Sequence, residues 1–135
     1  MSLSGYKYWL YLAVALVLII QTGLTYRALR PFYKNCRETR TVAERLKKYP
    51  GRHVYELNIA MAFDAYGVNN SSTDLWSKKI SSFKPGSLLV FNYEKTSGQW
   101  KGLNPMLNYE TLQRDHRLKL LEHLPGGWDI YEITD

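Results

Sequence analysis

From Tyr8 to Tyr26 no charged residue interrupts the chain, and only Gln21, Thr22, Gly23 and Thr25 dilute the apolar character. Coiled as a helix, this run is roughly 28 Å long, close to the thickness of a bilayer's hydrocarbon core. Tyr6, Tyr8, Trp9 and Tyr11 crowd one end and Tyr26 marks the other, the placement of an interfacial aromatic belt. The pattern predicts a transmembrane helix over residues 8–26 behind a short leader, residues 1–7. A secretory signal peptide fits less well, because Lys7 is the only charge before the run and no small-residue cleavage site follows it.

Past the run the pattern shortens. Pro31 is expected to close the anchor. Asn35 and Glu38 have the spacing of a capping box for a helix over Arg37 to Lys48, which Pro50-Gly51 ends. Val54 to Leu57 reads as a strand, and Asn58 as the cap of a helix over Ile59 to Tyr66 that stops at Gly67. A third helix is predicted from about Asp74 to Ser82. Ser87 to Tyr93 carries the strongest strand signal, and its unbroken apolar middle, Leu88-Leu89-Val90-Phe91, points to burial on both faces.

Residues 96–108 are rich in Gly, Asn, Pro and Ser and read as a long loop, with a helical turn over Asn108 to Gln113. His116 to His123 and Trp128 to Ile133 are strands joined by Leu124-Pro125-Gly126-Gly127, a hairpin. The element order favours parallel pairing of the first strands through right-handed crossovers. The fold class is therefore α/β: one transmembrane helix followed by a small mixed-sheet domain ending in an antiparallel hairpin. Residues 27–52 form a basic juxtamembrane helix and linker, and residues 53–135 the folded domain.

At 135 residues the chain has room for one small domain beside such a span. Charge divides it further. Residues 27–52 hold nine basic and two acidic side chains, whereas residues 53–135 hold eight basic and ten acidic. The overall surplus of six is a property of the neck rather than of the folded part. Arg27, Arg30, Lys34, Arg37 and Arg40 are candidates for contact with anionic headgroups or phosphates, at about 1 kcal/mol per residue near the surface. Nucleic acid is not expected as a partner, since the region after Arg52 is mildly acidic and lacks interleaved cations and stacking aromatics. By the positive-inside rule alone, the folded domain would face the cytoplasm.

Signatures of chemistry are sparse. There is no phosphate loop, dinucleotide fingerprint or nucleophile elbow. His53, His116 and His123 lack ligand spacing, and Cys36 is the single cysteine, with no His beside it. No catalytic, cofactor or metal residue is assigned. Asp64 reads as a solvated helix residue. Asn69-Asn70-Ser71-Ser72 holds two overlapping glycosylation acceptors. Among Trp76, Trp100, Trp128, Tyr93, Tyr109 and Tyr131, core packing accounts for most. Trp100, in its loop, and Tyr109 are the candidates for contact with a sugar or acceptor.

The order of these features is familiar as a set: a membrane span, a basic helix, a Val54-Tyr55 strand, a helix ending at Tyr66-Gly67, Lys84-Pro85-Gly86-Ser87 turning into Leu88-Leu89-Val90-Phe91, and a closing Gly127-Trp128-Asp129-Ile130-Tyr131-Glu132-Ile133 strand. It resembles the C-terminal tail of polyprenyl-phosphate-sugar-dependent membrane glycosyltransferases of the GT-C class, which includes bacterial protein mannosyltransferases and aminoarabinose transferases. The resemblance is one of architecture over nearly the whole chain. It implies that the chain is a piece of a larger membrane protein, with Met1-Ser2-Leu3 as an added start. It also implies a polyprenyl-phosphate sugar and its acceptor as partners, an extracytoplasmic folded domain, and a non-catalytic role covering the active-site mouth or contacting acceptor or carrier headgroup. The family's catalytic acids lie in loops between earlier membrane helices, so none is carried over. The extracytoplasmic side runs against the positive-inside reading unless upstream helices set the orientation. The competing expectation is a self-contained single-pass protein whose domain is a protein-interaction module of the cell envelope.

Overall fold

A computed structural model describes residues 3–135, with side chains from Tyr6 onward. The order of elements is α1 (Leu3–Leu46), β1 (Val54–Glu56), α2 (Ala60–Tyr66), β2 (Ser72–Asp74), β3 (Leu88–Phe91), α3 (Tyr93–Gln99), α4 (Asn104–Arg114), β4 (Leu118–Leu124) and β5 (Trp128–Ile133). The chain divides into two units, Met1–Arg37 and Glu38–Asp135.

In the first unit α1 is long and apolar enough to cross a membrane, and none of its apolar window is buried. Leu12, Leu16, Leu18, Ile19 and Leu24 are all exposed, a surface that only hydrocarbon or another helix would cover favourably. Pro31 does not close the helix as expected; it lies inside α1. A proline removes one intrahelical bond, here to the carbonyl of Arg27. That carbonyl is the first beyond the apolar run, on an exposed part of the helix. The predicted break and capping box at Asn35 and Glu38 are likewise absent, since both residues are helical.

The second unit starts at Glu38, before the boundary at residue 53 that the charge pattern suggests. The end of α1 supplies Val42, Ala43 and Leu46 to its core. The sheet order is β2-β1-β3-β5-β4, with β2, β1 and β3 parallel and β3, β5 and β4 antiparallel. This is the expected mixed α/β sheet closed by a hairpin. Central β3 is buried on both faces. Leu88 and Val90 pack with Val54, Ile59, Phe63, Trp128 and Ile130 on one side. Leu89 and Phe91 pack with Tyr55, Leu75, Phe83, Tyr109 and Leu112 on the other. The period of two along a strand requires that division, and an all-apolar strand permits it.

Three local expectations are corrected. The helix predicted over Asp74 to Ser82 is absent: β2 occupies Ser72–Asp74 as an edge strand, and residues 75–83 run without regular structure. Asp74 instead accepts from the Trp76 amide at 2.8 Å, an Asx turn. The loop predicted over residues 96–108 is mostly helical, in α3 and α4. Asn92 caps α3 by accepting from the Lys95 amide at 3.0 Å, and Pro105 sits in the first turn of α4, where no donor is needed. Finally, Asn58 does not cap α2. It takes a left-handed conformation, φ 57°. The cap comes from Glu56 at the end of β1, whose carboxylate accepts from the amides of Ile59 and Ala60 at 2.8 and 3.2 Å.

Glu56 is almost fully buried, and burial raises its carboxyl pKa, with Asp74 adding to the effect and the two amides opposing it. A carboxyl raised on folding stabilises fully below its ordinary value of 4.5, and that contribution is lost as pH rises through the folded value. The Glu56 contribution therefore falls as pH rises above about 4.5. Glu56→Gln keeps an acceptor for the two amides and removes the charge. Thermal unfolding of the chain in detergent, followed by circular dichroism, should lose this decline in the variant while the two proteins coincide near pH 4. A decline of equal size in both would remove Glu56 as its source.

Candidate functional site: a tryptophan cleft and a cationic helix face

Within the first unit, Arg27, Arg30, Lys34 and Arg37 recur at intervals of three, four and three. At 3.6 residues per turn they lie within an arc of roughly 80°. Tyr26 and Tyr33 flank them, and Tyr26, Arg30, Tyr33, Lys34 and Arg37 border one groove on the exposed helix surface. Arg27 and Arg30 fall within about 6 Å of the end of the apolar run and Arg37 about 15 Å beyond Arg27, at 1.5 Å per residue. The stripe thus starts at the end of the apolar run and follows the helix away from it. Tyrosine hydroxyls beside guanidinium and ammonium groups form a donor-rich strip suited to phosphate oxygens.

Arg40, the fifth expected cation, belongs to the second unit and stands over the Tyr66 ring, 5.7 Å from its centroid. Other basic residues of the neck are also engaged within that unit. Arg45 and Lys48 reach Glu122 at 3.5 and 3.3 Å, and Lys47 reaches Glu44 at 3.1 Å. Arg52 pairs with Glu132 at 2.6 Å and donates to the Gly86 carbonyl. The first unit is left with five basic residues and no acidic one, against thirteen basic and twelve acidic in the second. The surplus is thus five in the first unit and one in the second, a milder division than the linear count gives, because Arg40, Arg45, Lys47, Lys48 and Arg52 belong to the folded unit.

In the second unit the two candidate aromatics separate. Trp100 meets Trp76 edge to face, centroids 4.4 Å apart. Trp76 and residues Gly102, Leu103, Asn104 and Pro105 line an open cleft of about 160 Å³. Tyr109 is elsewhere, buried and stacked on Phe91 with centroids 4.4 Å apart and rings 5° from parallel. Trp76 follows the carboxyl end of β2, and Trp100 follows α3, which begins after the carboxyl end of β3. Ligand crevices of open α/β sheets lie at that side. Half-exposed Trp76 and the neighbouring Asn104 amide, which donates to the Trp76 carbonyl at 3.4 Å, place an apolar ring beside hydrogen-bonding groups. That combination suits a sugar, whose C–H face packs on an aromatic ring while its hydroxyls take amides.

The cleft depends on a buried staple. Asn108 in α4 is fully buried; its amide nitrogen donates to the carbonyls of Leu75 and Lys78 at 3.2 and 3.1 Å, and its oxygen accepts from the Ile80 amide at 2.8 Å. These three bonds hold the irregular segment that carries Trp76. No sequence signal marked Asn108, because a single Asn mid-helix has no motif.

Two further polar groupings emerge only in the fold. His53 reaches Ser71 Oγ and Thr73 Oγ1 at 2.9 and 2.8 Å through its two ring nitrogens, clamping β1 to edge strand β2. Burial, with Lys84 nearby, lowers its pKa. His123 Nδ1 lies 2.6 Å from Asp129, and Asp129 also accepts from the Tyr131 hydroxyl at 3.0 Å. Burial is the main reason the Tyr131 pKa is raised, aided by Tyr109 and Asp129. The sequence separation of these partners hides both groupings until the strands pair. Asp64 is exposed, as expected. Asn70, one of the two glycosylation acceptors, spends its amide on the carbonyls of Tyr49 and Arg52 at 2.9 and 2.8 Å. Comparison with protein-family models, curated proteins and solved structures returns no match to this chain.

Proposed function

We propose that this chain is the membrane-tethered, non-catalytic end of a glycosyltransferase that draws its sugar from a polyprenyl-phosphate carrier, and that it contacts the sugar, acceptor or carrier headgroup outside the cytoplasm. The observation that carries the reading is the cleft lined by Trp76, Asn104 and Pro105, with Trp100 packed edge to face behind Trp76, the chemistry of a saccharide subsite. The stripe of Arg27, Arg30, Lys34 and Arg37 with two tyrosines supports it from the other unit, since a carrier headgroup presents phosphate at the level of the membrane surface. The role is binding and positioning; bond cleavage belongs to residues outside this chain.

The test is a titration of the full chain in detergent micelles with a short-chain polyprenyl-phosphate sugar and with the same carrier lacking the sugar, read by tryptophan fluorescence. Trp100→Ala should abolish the preference for the sugar-bearing carrier. Replacing Arg27, Arg30, Lys34 and Arg37 together by Gln should weaken both ligands by about tenfold or more, following the per-residue attraction of cations to anionic lipid. An unaltered preference in Trp100→Ala would remove the cleft from the reading, and no response to either ligand would end it. Protease added outside intact spheroplasts should cut the folded unit; protection there and cleavage only after lysis would place it in the cytoplasm and refute the extracytoplasmic role.

A further inference from the structure

We propose that two copies of this chain pair in parallel through one face of the apolar part of α1, with Gln21 at the centre of the contact. The inference rests on residues 8–26 being a membrane span and is independent of the sugar-transfer reading.

Away from the aromatic ends, Gln21, Thr22 and Thr25 are the only side chains of the span with hydrogen-bonding groups, and all three are exposed on the helix surface. At 3.6 residues per turn they lie in an arc of roughly 100°. Thr22 settles its own donor, giving its hydroxyl to the Leu18 carbonyl at 2.7 Å. A glutamine amide, with two N–H groups and one carbonyl, needs partners from outside its own turn. Gln21 sits about 7.5 Å inside the end of the span. Its side chain leans toward the N-terminus of the helix, away from that end, so it points deeper into hydrocarbon rather than back to water. A polar group held there faces a partner, not lipid.

Three features identify that partner as a second copy. First, an amide is self-complementary: across a parallel two-fold axis each Gln21 donates to its mate and accepts from it. Second, Val14, Leu18, Gln21, Thr25, Ala28 and Phe32 alternate at four and three residues, the spacing of a left-handed two-helix seam. Short Thr25 and Ala28 let the backbones approach, and a groove bordered by Leu18, Gln21, Thr22 and Thr25 lies along one flank of this seam. One polar residue in such a seam sets register. Third, the centre of the cationic stripe lies roughly 180° around the helix from this seam, by the same geometry. Pairing through Gln21 therefore turns both sets of Arg and Lys outward, whereas pairing through the stripe would oppose like charges.

The experiment uses the full chain in phosphatidylcholine bilayers, with Cys36→Ser as background. Val14→Cys, on the seam, should form a disulfide-linked dimer under mild oxidation, and Leu16→Cys, on the far side, should not. Energy transfer between labelled copies should show Gln21→Leu weakening association by about three- to tenfold, the range that membrane hydrogen bonds supply, with Gln21→Asn restoring most of it. Equal cross-linking from both positions, or association unchanged in Gln21→Leu, overturns the proposal. So does the absence of any dimer while the chain stays in the bilayer after alkaline extraction, a result that leaves the span itself intact. Release of the chain by alkaline extraction overturns the span, and the pairing with it.

Discussion

Asn108→Ala should lower the unfolding free energy of the second unit by about 3 kcal/mol, the loss of three buried hydrogen bonds at about 1 kcal/mol each, with stranded backbone groups adding to it. The fully buried amide serves Leu75, Lys78 and Ile80, and nothing in an alanine replaces either its donors or its acceptor. The expected loss is large because residues 75–83 have no ladder or helix of their own to fall back on. Thermal unfolding in detergent measures it. The same variant should shift Trp76 fluorescence toward that of a solvated indole below the unfolding transition, because Asn108 holds the segment between β2 and β3 that places Trp76 beside Trp100. Asn108→Asp distinguishes staple from packing. It keeps the shape and the acceptor for Ile80, yet lacks the donors and buries a charge. It should be at least as damaging at neutral pH and partly recover in acid, where the protonated carboxyl regains one donor. A loss below about 1 kcal/mol in Asn108→Ala would show that the segment is held by Leu75 and Phe83 alone.

Gly126→Ala should cost about 3 kcal/mol, combining a left-handed backbone, worth about 1–2 kcal/mol for an L-residue, with displacement of a buried carboxylate. Gly126 lies in the hairpin turn at φ 85°, and a Cβ there would come within 2.5 Å of the Glu38 carboxyl carbon. Glu38 has little room to retreat. It is 7% exposed and takes the Lys95 ammonium at 2.5 Å, while that ammonium stands over the Trp128 ring, 5.6 Å from its centroid. The turn is held from the other side by Asn92, which donates to the Gly126 carbonyl at 2.7 Å. The two parts of the cost separate in a double-mutant cycle. Glu38→Ala in the Gly126→Ala background removes the collision and leaves the backbone strain, so the paired losses should fall short of their sum by about 1 kcal/mol or more. Additive losses would show that the carboxylate moves aside freely.

Both predictions concern contacts that join residues distant in the chain, and this is where sequence reasoning reached its limit. The run long and apolar enough to cross a membrane, the central strand and the closing hairpin were legible because each has a local pattern of its own. The span is a matter of length and apolarity. Leu88 to Phe91 is apolar at every position. Trp128 to Ile133 alternates, and its Gly126-Gly127 turn has the two positive φ values that glycine permits. The run of residues 96–108 misled because Gly98, Asn104 and Pro105 read as breakers, when two of the three stand in the first turn of α4, where they do no harm. Over Asp74 to Ser82 the apolar spacing was real, but Leu75 and Phe83 reach the core from an irregular backbone whose polar groups bond to Asn108. Of the candidate contacts, Trp100 stands at the end of α3 rather than in a loop, partly buried against the core and edge to face with Trp76. Tyr109 joined the core because α4 lays it flat on Phe91.

Taken alone, then, the amino-acid order determined a helix able to cross a bilayer, a cationic neck, and a mixed α/β sheet ended by a hairpin, since each follows from local periodicity or composition. Tertiary structure decided what locality cannot encode. It carried α1 through Pro31 to Leu46, because the last turn of that helix buries Val42, Ala43 and Leu46 in the second unit's core. It gave the cap of α2 to Glu56 rather than Asn58. It engaged Arg40, Arg45, Lys48 and Arg52 inside the folded unit. The cause in each case is a partner far away in the chain, and the energy of burying or pairing with that partner outweighs the fraction of a kilocalorie by which a local preference is expressed.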